Sequence, residues 1–417
     1  MADSIPDSVS DDVRDNLSND VRDSHSQKEH NETNIELSVV MPCLNEADTL
    51  ETCIGKVLRV FAEHDIAGEI IIADNGSHDG SQKIAERLGA RVENVRERGY
   101  GAALMGGIAA ARGHFVLMGD ADDSYDFLEI PKFIKKLREG HDLVQGCRLP
   151  KGGGTVLPAA MPFLHRWLGN PMLSAMVRGM FRAPVTDIYC GMRGFRNDLY
   201  LRLDQRCTGM EFATEMIIKA TLHGAKIAEV PITLHPDGRK AHGPHLRTFR
   251  DGWRTVRFFM MYSPRWLFLF PGLLLVLSGI AGYALALPAT STLGVSFGPH
   301  TLLVASLAFL LGYQSILFAI FTKTFAITEG LMPEDPRMAR FFEMVNLEKG
   351  LVIGVGAFLA GLGLIGHVAF GWREGGFGPL DYESTMRWVI PGVTLAALGF
   401  QTMLSGFFVS ILGMGRR

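Results

Sequence analysis

Cysteine is scarce in this 417-residue chain. Its five thiols, Cys43, Cys53, Cys147, Cys190 and Cys207, are odd in number and show no Cys-x-x-Cys spacing. That rules against a disulfide framework and a zinc site, and reduced thiols in a cytosolic compartment fit better. A strong charge of one sign is also missing. The formal net charge is −3, so no nucleic-acid partner is expected. Residues 1–34 hold few large apolar side chains and are rich in Asp, Ser and Asn. Such a segment cannot bury enough surface to offset its ordering entropy, and we expect a disordered, solvated tail. It holds no apolar run of the kind a secretory signal needs.

What is present is unevenly spread. Mean hydropathy is positive, and the length allows a large domain plus a second region. Over residues 35–235, the runs "IELSVVMP", "EIIIAD", "ARVENV", "HFVLMG" and "HDLVQG" are short and apolar or β-branched. Helical patterns at 47–63, 80–88, 100–112 and 128–138 lie between them. That alternation predicts an α/β domain with a mostly parallel sheet. In such sheets ligands bind beyond the carboxyl ends of the strands.

Residues 236–262 form a transition. In "LRTFRDGWRTVRFFMMY", Leu246, Phe249, Trp253, Val256 and Met260 recur at helical spacing beside Arg247, Arg250, Arg254 and Arg257. The pattern suits a juxtamembrane helix on an anionic lipid surface, the other reading being a core-facing surface helix. Residues 263–417 hold long uncharged runs near 266–287, 297–322, 350–372 and 388–413. The first, 22 residues long, reaches roughly 33 Å at the rise of an α-helix, enough to cross a bilayer core. A transmembrane domain of four helices follows. Lys323, Arg337, Arg340 and Lys349 lie between the second and third runs, and Arg416 and Arg417 end the chain. The excess of positive charge predicts a multi-pass integral membrane protein with the α/β domain and both termini cytoplasmic, leaving Arg373 and Arg387 outside.

The densest chemistry lies in "HFVLMGDADDSYDF", residues 114–127. A buried strand ends there and Asp120, Asp122, Asp123 and Asp126 follow at once. So much negative charge calls for a positive partner. Asp120 and Asp122 flank one alanine, so a turn can aim both at one Mg²⁺ or Mn²⁺, hard cations that take oxygen ligands and share their shell with phosphates. A pair of aspartates around a small residue also occurs by chance. Asp123 and Asp126 read alternatively as caps of a helix near Phe127. Elsewhere, Asn45 and Glu46 follow one strand. Asp74 ends another, placed to hold a base or ribose, with Asp79 as a helix N-cap. "RERGYGAALMGGIAAARG" is a glycine-spaced helix entry that either meets a phosphate or packs tightly on the sheet, packing being the simpler reading.

In order and spacing, "VVMPCLNEADTL", "IIIADNGSHDGS", "RGYGAALMGGIAAARG" and "MGDADDSYDF" resemble the family 2 glycosyltransferases, and within them the polyprenyl-phosphate (dolichol-phosphate) mannose or glucose synthases. The likeness continues through "DLVQGCR", "DIYCGMRGFR", "GMEFATEMIIKA" and "IAEVPITL", covering about residues 35–262. It implies a GT-A nucleotide-binding fold. Pro42, Asn45, Glu46 and Asp74 would line the donor pocket. Asp120 and Asp122 would hold the metal and the donor diphosphate. Ser124 stands where many members have Gln, which leaves the third protein ligand open. In "HPDGRKAHGPHLR", Arg239 and Lys240 keep the charge of a donor-covering loop, and His245 replaces a common Lys.

A phosphate acceptor is already anionic near neutrality, with a second pKa of about 6. It needs cations rather than a general base. Arg148 follows a strand and matches the family's acceptor-phosphate arginine. Arg166 lies in the amphipathic "FLHRWLGNP", before an Asn170 N-cap and a helix opened by Pro171, and Arg193 lies in "CGMRGF". Each arginine could instead be solvated or structural. Glu215 falls where processive members carry an acidic base, but their Gln-x-x-Arg-Trp signature is absent. Glu215 is expected to position an arginine or the donor sugar, or to lie plainly on a helix. Asp187 has no role derivable from the residues beyond pairing with Arg193 or Arg196.

The expectation is therefore a metal-dependent, inverting hexosyltransferase at a lipid bilayer. Its donor is a UDP- or GDP-hexose and its acceptor a polyprenyl phosphate. Asp120, Asp122, Arg148 and Glu215 form the catalytic set, and Arg239 neutralises the diphosphate. The alternatives are a processive or hydroxyl-acceptor polysaccharide glycosyltransferase and a non-catalytic lipid-sugar flippase or scaffold.

Overall fold

The computed structural model describes residues 35–239, 248–288, 291–292, 295–344 and 347–413. The acidic head 1–34, Lys240, His245, Leu246, Arg247, Arg416 and Arg417 lie outside the described residues. The chain clusters into two compact units that divide between Arg254 and Thr255.

The first unit starts with β1 (Leu37–Cys43), α1 (Leu50–Glu63), β2 (Gly68–Asp74), α2 (Ser81–Arg87), β3 (Arg91–Asn94), α3 (Tyr100–Ala109) and β4 (Phe115–Met118). A 3₁₀ turn (Phe127–Glu129) leads into α4 (Ile130–Arg138), followed by β5 (Leu143–Cys147), β6 (Thr155–Val156) and α5 (Asn170–Phe181). Then come β7 (Arg193–Arg196), α6 (Asn197–Leu203), α7 (Phe212–Leu222), β8 (Ile227–Pro231) and β9 (Thr233–Leu234). Seven strands make one sheet in the order β3-β2-β1-β4-β7-β5-β8. Pairing is parallel except at β7, which runs antiparallel to both β4 and β5. The sheet is thus mostly parallel as expected, but the sequence did not reveal β7. Its four residues, Arg-Gly-Phe-Arg, show no apolar run. Gly194 fits there because an added Cβ would press on Leu137 of α4 at 3.1 Å.

Helix formation follows the apolar spacing. On α1, Leu50, Cys53, Ile54, Val57 and Val60 are buried, the i, i+3, i+4 pattern of a core-facing stripe. Each such side chain contributes about 1.5–3 kcal/mol on full burial. α3 packs by lacking side chains: a Cβ on Gly107 would lie 2.6 Å from Val40 Cγ1 and 2.9 Å from Ala73 Cβ. The glycine-spaced segment therefore serves close helix–sheet packing. Register brings Cys43 level with Asp74 and Val40 level with Met118. The chain segments leaving β1, β2 and β4 thus emerge on one edge.

Two local expectations are corrected and a third holds. Asn170 is no N-cap: a π-turn, His165–Gly169, runs straight into α5, and the Asn170 N–H donates to the His165 carbonyl. The widened turn accommodates Pro171, which has no N–H for the helix ladder. Asp79 does not cap α2 either; Gly80 does, while Asp79 accepts from Ser81 N at 3.0 Å and Ala47 N at 2.8 Å. Asp126 does cap the 3₁₀ turn, accepting from Leu128 N at 3.2 Å. The five cysteines are all unpaired.

Helix α8 (Thr248–Met261) crosses the division between the units. The second unit contains α9 (Phe270–Ala286), α10 (Pro299–Thr328), α11 (Pro336–Met344), α12 (Leu347–Glu374) and α13 (Tyr382–Gly413). Among the described residues four helical stretches are long and apolar enough to cross a membrane: Arg265–Ala286, Pro299–Thr328, Leu347–Glu374 and Tyr382–Gly413. The second and fourth run several residues beyond the uncharged stretches. Lys323 therefore lies on α10, paired with Asp335, and Arg387 lies on α13, donating to the Leu287 carbonyl at 3.2 Å. Glycine lets these helices approach closely. A Cβ on Gly272 would sit 2.9 Å from the Gly312 carbonyl, and one on Gly354 2.9 Å from that of Gly399. Small-residue contacts of this kind drive helix association where lipid offers no hydrophobic gain.

Candidate active site

The four aspartates after β4 do not share one fate. Lys56 of α1 takes two of them, Asp123 at 2.8 Å and Asp126 at 3.3 Å. Arg239 reaches Asp122 Oδ2 at 3.2 Å. Among the described residues Asp120 has one hydrogen-bond partner, the Tyr100 O–H donating to Oδ1 at 2.9 Å. Burial and the neighbouring Asp122 charge push its pKa up to about 7, against the lowering pull of Tyr100, Arg239 and Arg148. The loop itself is riveted to α1: the Ala121 carbonyl accepts from Thr49 Oγ1 at 2.6 Å and from Cys53 Sγ at 3.5 Å. Asp122 Oδ1 accepts from Ser124 N at 3.0 Å and Ser124 Oγ at 2.6 Å.

That raised pKa has a stability consequence. In an unfolded chain an aspartate titrates near ~3.9. The folded protein therefore binds this proton more tightly, and the linked stability falls as pH rises from about 4 to about 7 and then levels off. The wild-type melting midpoint is expected to lose, between pH 5 and 7.5, a share that Asp120→Asn keeps. Identical pH profiles for the two proteins would remove Asp120 as the source.

The neighbouring strand ends complete the edge. Asn45 adopts φ 61°, and its Oδ1 accepts from His78 N at 2.8 Å, tying the loop after β1 to the loop after β2. Pro42, in β1, is partly exposed there. Asp74 Oδ2 accepts from Gly76 N, Ser77 N and Gln82 Nε2 at 3.0, 3.1 and 2.7 Å. Burial raises its pKa, but these hydrogen bonds outweigh it and hold the carboxyl below the usual range. Its other oxygen, Oδ1, is buried without a partner among the described residues. Arg239 lies across Glu46 at 2.8 Å, Asp122 at 3.2 Å and Asp237 at 2.8 Å. Burial lowers its pKa, yet the carboxylates raise it further, so it stays charged. The segment carrying it is stitched to the aspartate loop by His235 N to Ser124 O at 2.9 Å and Gly238 N to Asp122 O at 3.0 Å.

Several arginines expected at an acceptor phosphate are committed elsewhere. Arg148 is buried and pairs with Asp187, Nε to Oδ2 at 2.7 Å and Nη2 to Oδ1 at 2.9 Å. Its Nη1 meets only Tyr125 Oη, at 3.4 Å. It is thus ion-paired in this structure, and Asp187 serves Arg148 rather than Arg193 or Arg196. Arg193 is fully buried and donates to the carbonyls of Ala213, Ile188 and Cys190. Arg166 differs: its Nε is buried without a partner among the described residues, and its guanidinium lies 5.3 Å from the Trp167 ring.

Glu215 does not lie on an open helix surface. It is buried on α7, ion-paired with Lys219 at 2.8 Å, and accepts from Arg206 N and Cys207 N. It holds the loop before α7. Its helix shows why the sequence misled: Phe212 to Ala220 are all buried, so no polar face marks where an acid points. Lys56, Thr49, Tyr100 and Tyr125 were missed, because nothing in their local pattern separates a site tyrosine or lysine from an ordinary one.

Among the described residues no cluster of three or more His, Cys, Asp or Glu could hold a metal ion. The donor set that does exist, Asp120 with Asp122, is hard oxygen, and its mutual repulsion is only partly relieved by Arg239. That chemistry fits a divalent cation whose remaining ligands come from outside the chain.

Residues 38–203 match Glycosyl transferase family 2, and residues 320–413 match the Glycosyltransferase family 2 C-terminal transmembrane region. The low-salt glycan biosynthesis hexosyltransferase Agl6 of Haloferax volcanii is 38% identical over 378 residues, covering 90% of this chain and 89% of that protein. The dolichyl-phosphate hexose transferase of the same organism is 33% identical over 198 residues, 47% of this chain and 82% of that protein. Among solved structures, glucosyl-3-phosphoglycerate synthase from Mycobacterium tuberculosis, in complex with Mn²⁺, uridine-diphosphate and glucosyl-3-phosphoglycerate, aligns at a TM-score of 0.42 and 23% identity. That alignment covers 55% of this chain and 78% of that one.

Proposed function

The chain belongs to glycosyltransferase family 2, and on that premise we propose that it transfers a hexose from UDP- or GDP-hexose to a polyprenyl phosphate, with inversion, at the cytoplasmic face of a bilayer. The observation that carries the chemistry is the Asp120–Asp122 pair at the end of β4, whose charge is only partly compensated within the chain. The acceptor class is supported by the relative named as a dolichyl-phosphate hexose transferase and by the four candidate spans.

Asp120 and Asp122 would hold Mg²⁺ or Mn²⁺. Bound there, the ion supplies Lewis-acid stabilisation of the departing diphosphate. Asp74, kept ionised with one free oxygen, would accept from the donor's base or ribose, beside Pro42 and Asn45. Arg239 would turn from Glu46 and Asp122 to the diphosphate. An oxygen of the lipid phosphate attacks the anomeric carbon as that carbon's bond to the diphosphate breaks, and the nucleoside diphosphate leaves with the electron pair. No proton has to be removed from the nucleophile. A hydroxyl acceptor would need a base, and Glu215, buried against Lys219, is not placed to be one; this disfavours the polysaccharide reading. Arg166, with an unused donor, is the cation we assign to the acceptor phosphate. It sits among the exposed side chains of Phe163, Leu164, Trp167 and Leu168, a surface suited to lipid.

The test is to give the purified full-length protein a panel of radiolabelled nucleotide-hexoses with a polyprenyl phosphate and Mn²⁺. One donor is expected to yield an organic-extractable sugar lipid. Absence of product with every UDP- and GDP-hexose would overturn the reading.

A further inference from the structure

The two aspartates carry the metal reading, yet each is held by a hydroxyl that the reading leaves without a role. Tyr100 donates to Asp120 Oδ1 at 2.9 Å. Ser124 donates to Asp122 Oδ1 at 2.6 Å. In both cases Oδ1 is committed. Asp122 Oδ2 faces Arg239 at 3.2 Å. Asp120 Oδ2 faces Gly191, where an added Cβ would stand 2.9 Å away.

Both hydroxyls stand on fixed backbone. Tyr100 opens α3 between Gly99, at φ +143°, and Gly101. A Cβ on either glycine would overlap backbone carbonyls of the 207–209 segment, and Ala102 N donates to Thr208 O at 3.0 Å. Ser124 follows Asp123 in a left-handed conformation, φ 60°, and its carbonyl is pinned by His235 N at 2.9 Å. Neither donor can drift far. A flexible carboxylate pair loses affinity for a cation in proportion to the conformations it must give up, and hydrogen bonds from outside the ligand set reduce that loss.

We propose that Tyr100 and Ser124 are positioning residues. Each takes one oxygen of an aspartate and leaves the other, Oδ2 of Asp120 and Oδ2 of Asp122, aimed for a divalent cation. Ser124 thereby acts through Asp122, its hydroxyl hydrogen being spent on that carboxylate. The inference rests on the metal-dependent reading above and extends it to residues that touch neither substrate nor metal.

The experiment titrates full-length protein in detergent with Mn²⁺, alone and with UDP or GDP, following loss of the free hexaaqua signal by electron paramagnetic resonance. Tyr100→Phe, which removes only the hydroxyl, and Ser124→Ala are each expected to weaken binding about 10-fold or more, with melting midpoints close to wild type. Ser124→Thr, which keeps a hydroxyl, is expected to bind within about threefold of wild type. Wild-type affinity in Tyr100→Phe and Ser124→Ala would overturn the inference and leave the metal reading standing, as would equal loss in Ser124→Thr and Ser124→Ala for the serine half. No Mn²⁺ binding by the wild type under any of these conditions would overturn both.

Discussion

Asp122→Ala is expected to lower hexosyl transfer by at least 10²–10³-fold, the order of magnitude lost when one preorganised charge-stabilising group is removed from a transfer site. The protein is expected to stay folded. Asp122 sits between a serine hydroxyl at 2.6 Å and Arg239 at 3.2 Å, and Arg239 keeps Glu46 and Asp237, both at 2.8 Å. Losing Asp122 also removes a charge that raises the Asp120 pKa, which offsets part of the lost ion pair. Turnover of the labelled donor, read beside the melting midpoint, separates the two effects. Activity within tenfold of wild type in a folded variant would show that the aspartate pair is not the reacting centre. Asp122→Asn keeps the shape and loses the charge; it is expected to fail nearly as badly, because a hard cation needs the anionic oxygen.

The second large effect concerns stability. Asp187→Ala is expected to cost about 3–5 kcal/mol, the range for breaking a buried ion pair from one side. Asp187 is fully buried. It accepts from Arg148 N at 3.1 Å, Nε at 2.7 Å and Nη2 at 2.9 Å, and from Tyr189 N at 3.3 Å. Arg148 is itself buried and remains charged, since the Asp187 and Tyr125 interactions outweigh the burial that disfavours its charge. With the carboxylate gone, a guanidinium is left in the interior without its counter-ion. For a domain of this size the melting midpoint would fall by roughly 6–20 °C. Asp187→Asn retains an acceptor oxygen and is expected to lose less. A shift under about 2 °C in Asp187→Ala would show that water reaches Arg148 freely and that the pair contributes little. Activity tests whether this is the whole of its role: if Arg148 acts by holding the loops around Tyr125 and Gly191, where Gly191 N donates to Tyr125 Oη at 2.8 Å, a second-site variant that restores packing restores turnover, and if Arg148 binds phosphate it does not.

Much of this protein was legible along the chain. The four spans are runs of uncharged residues, and a bilayer selects such runs one at a time. Alternating strands and helices follow from apolar periods of two and 3.6, which are local. Asp120 and Asp122 stand out because the strand that ends before them is unmistakable. Charge partnership is different. Arg148, Arg166 and Arg193 are each an arginine near a turn, and nothing within ten residues separates one paired 39 positions away from one whose Nε stays unpartnered or one that holds three carbonyls. Arg239 meets Glu46 across 193 positions, and Glu215 reads as an available acid until the helix bearing it proves buried throughout. The sequence by itself determined the elements and the chemistry offered at their ends. Only the tertiary structure decided which charges are already spent, because an ion pair depends on the distance between side chains in space, and that distance is set by the packing of elements far apart along the chain.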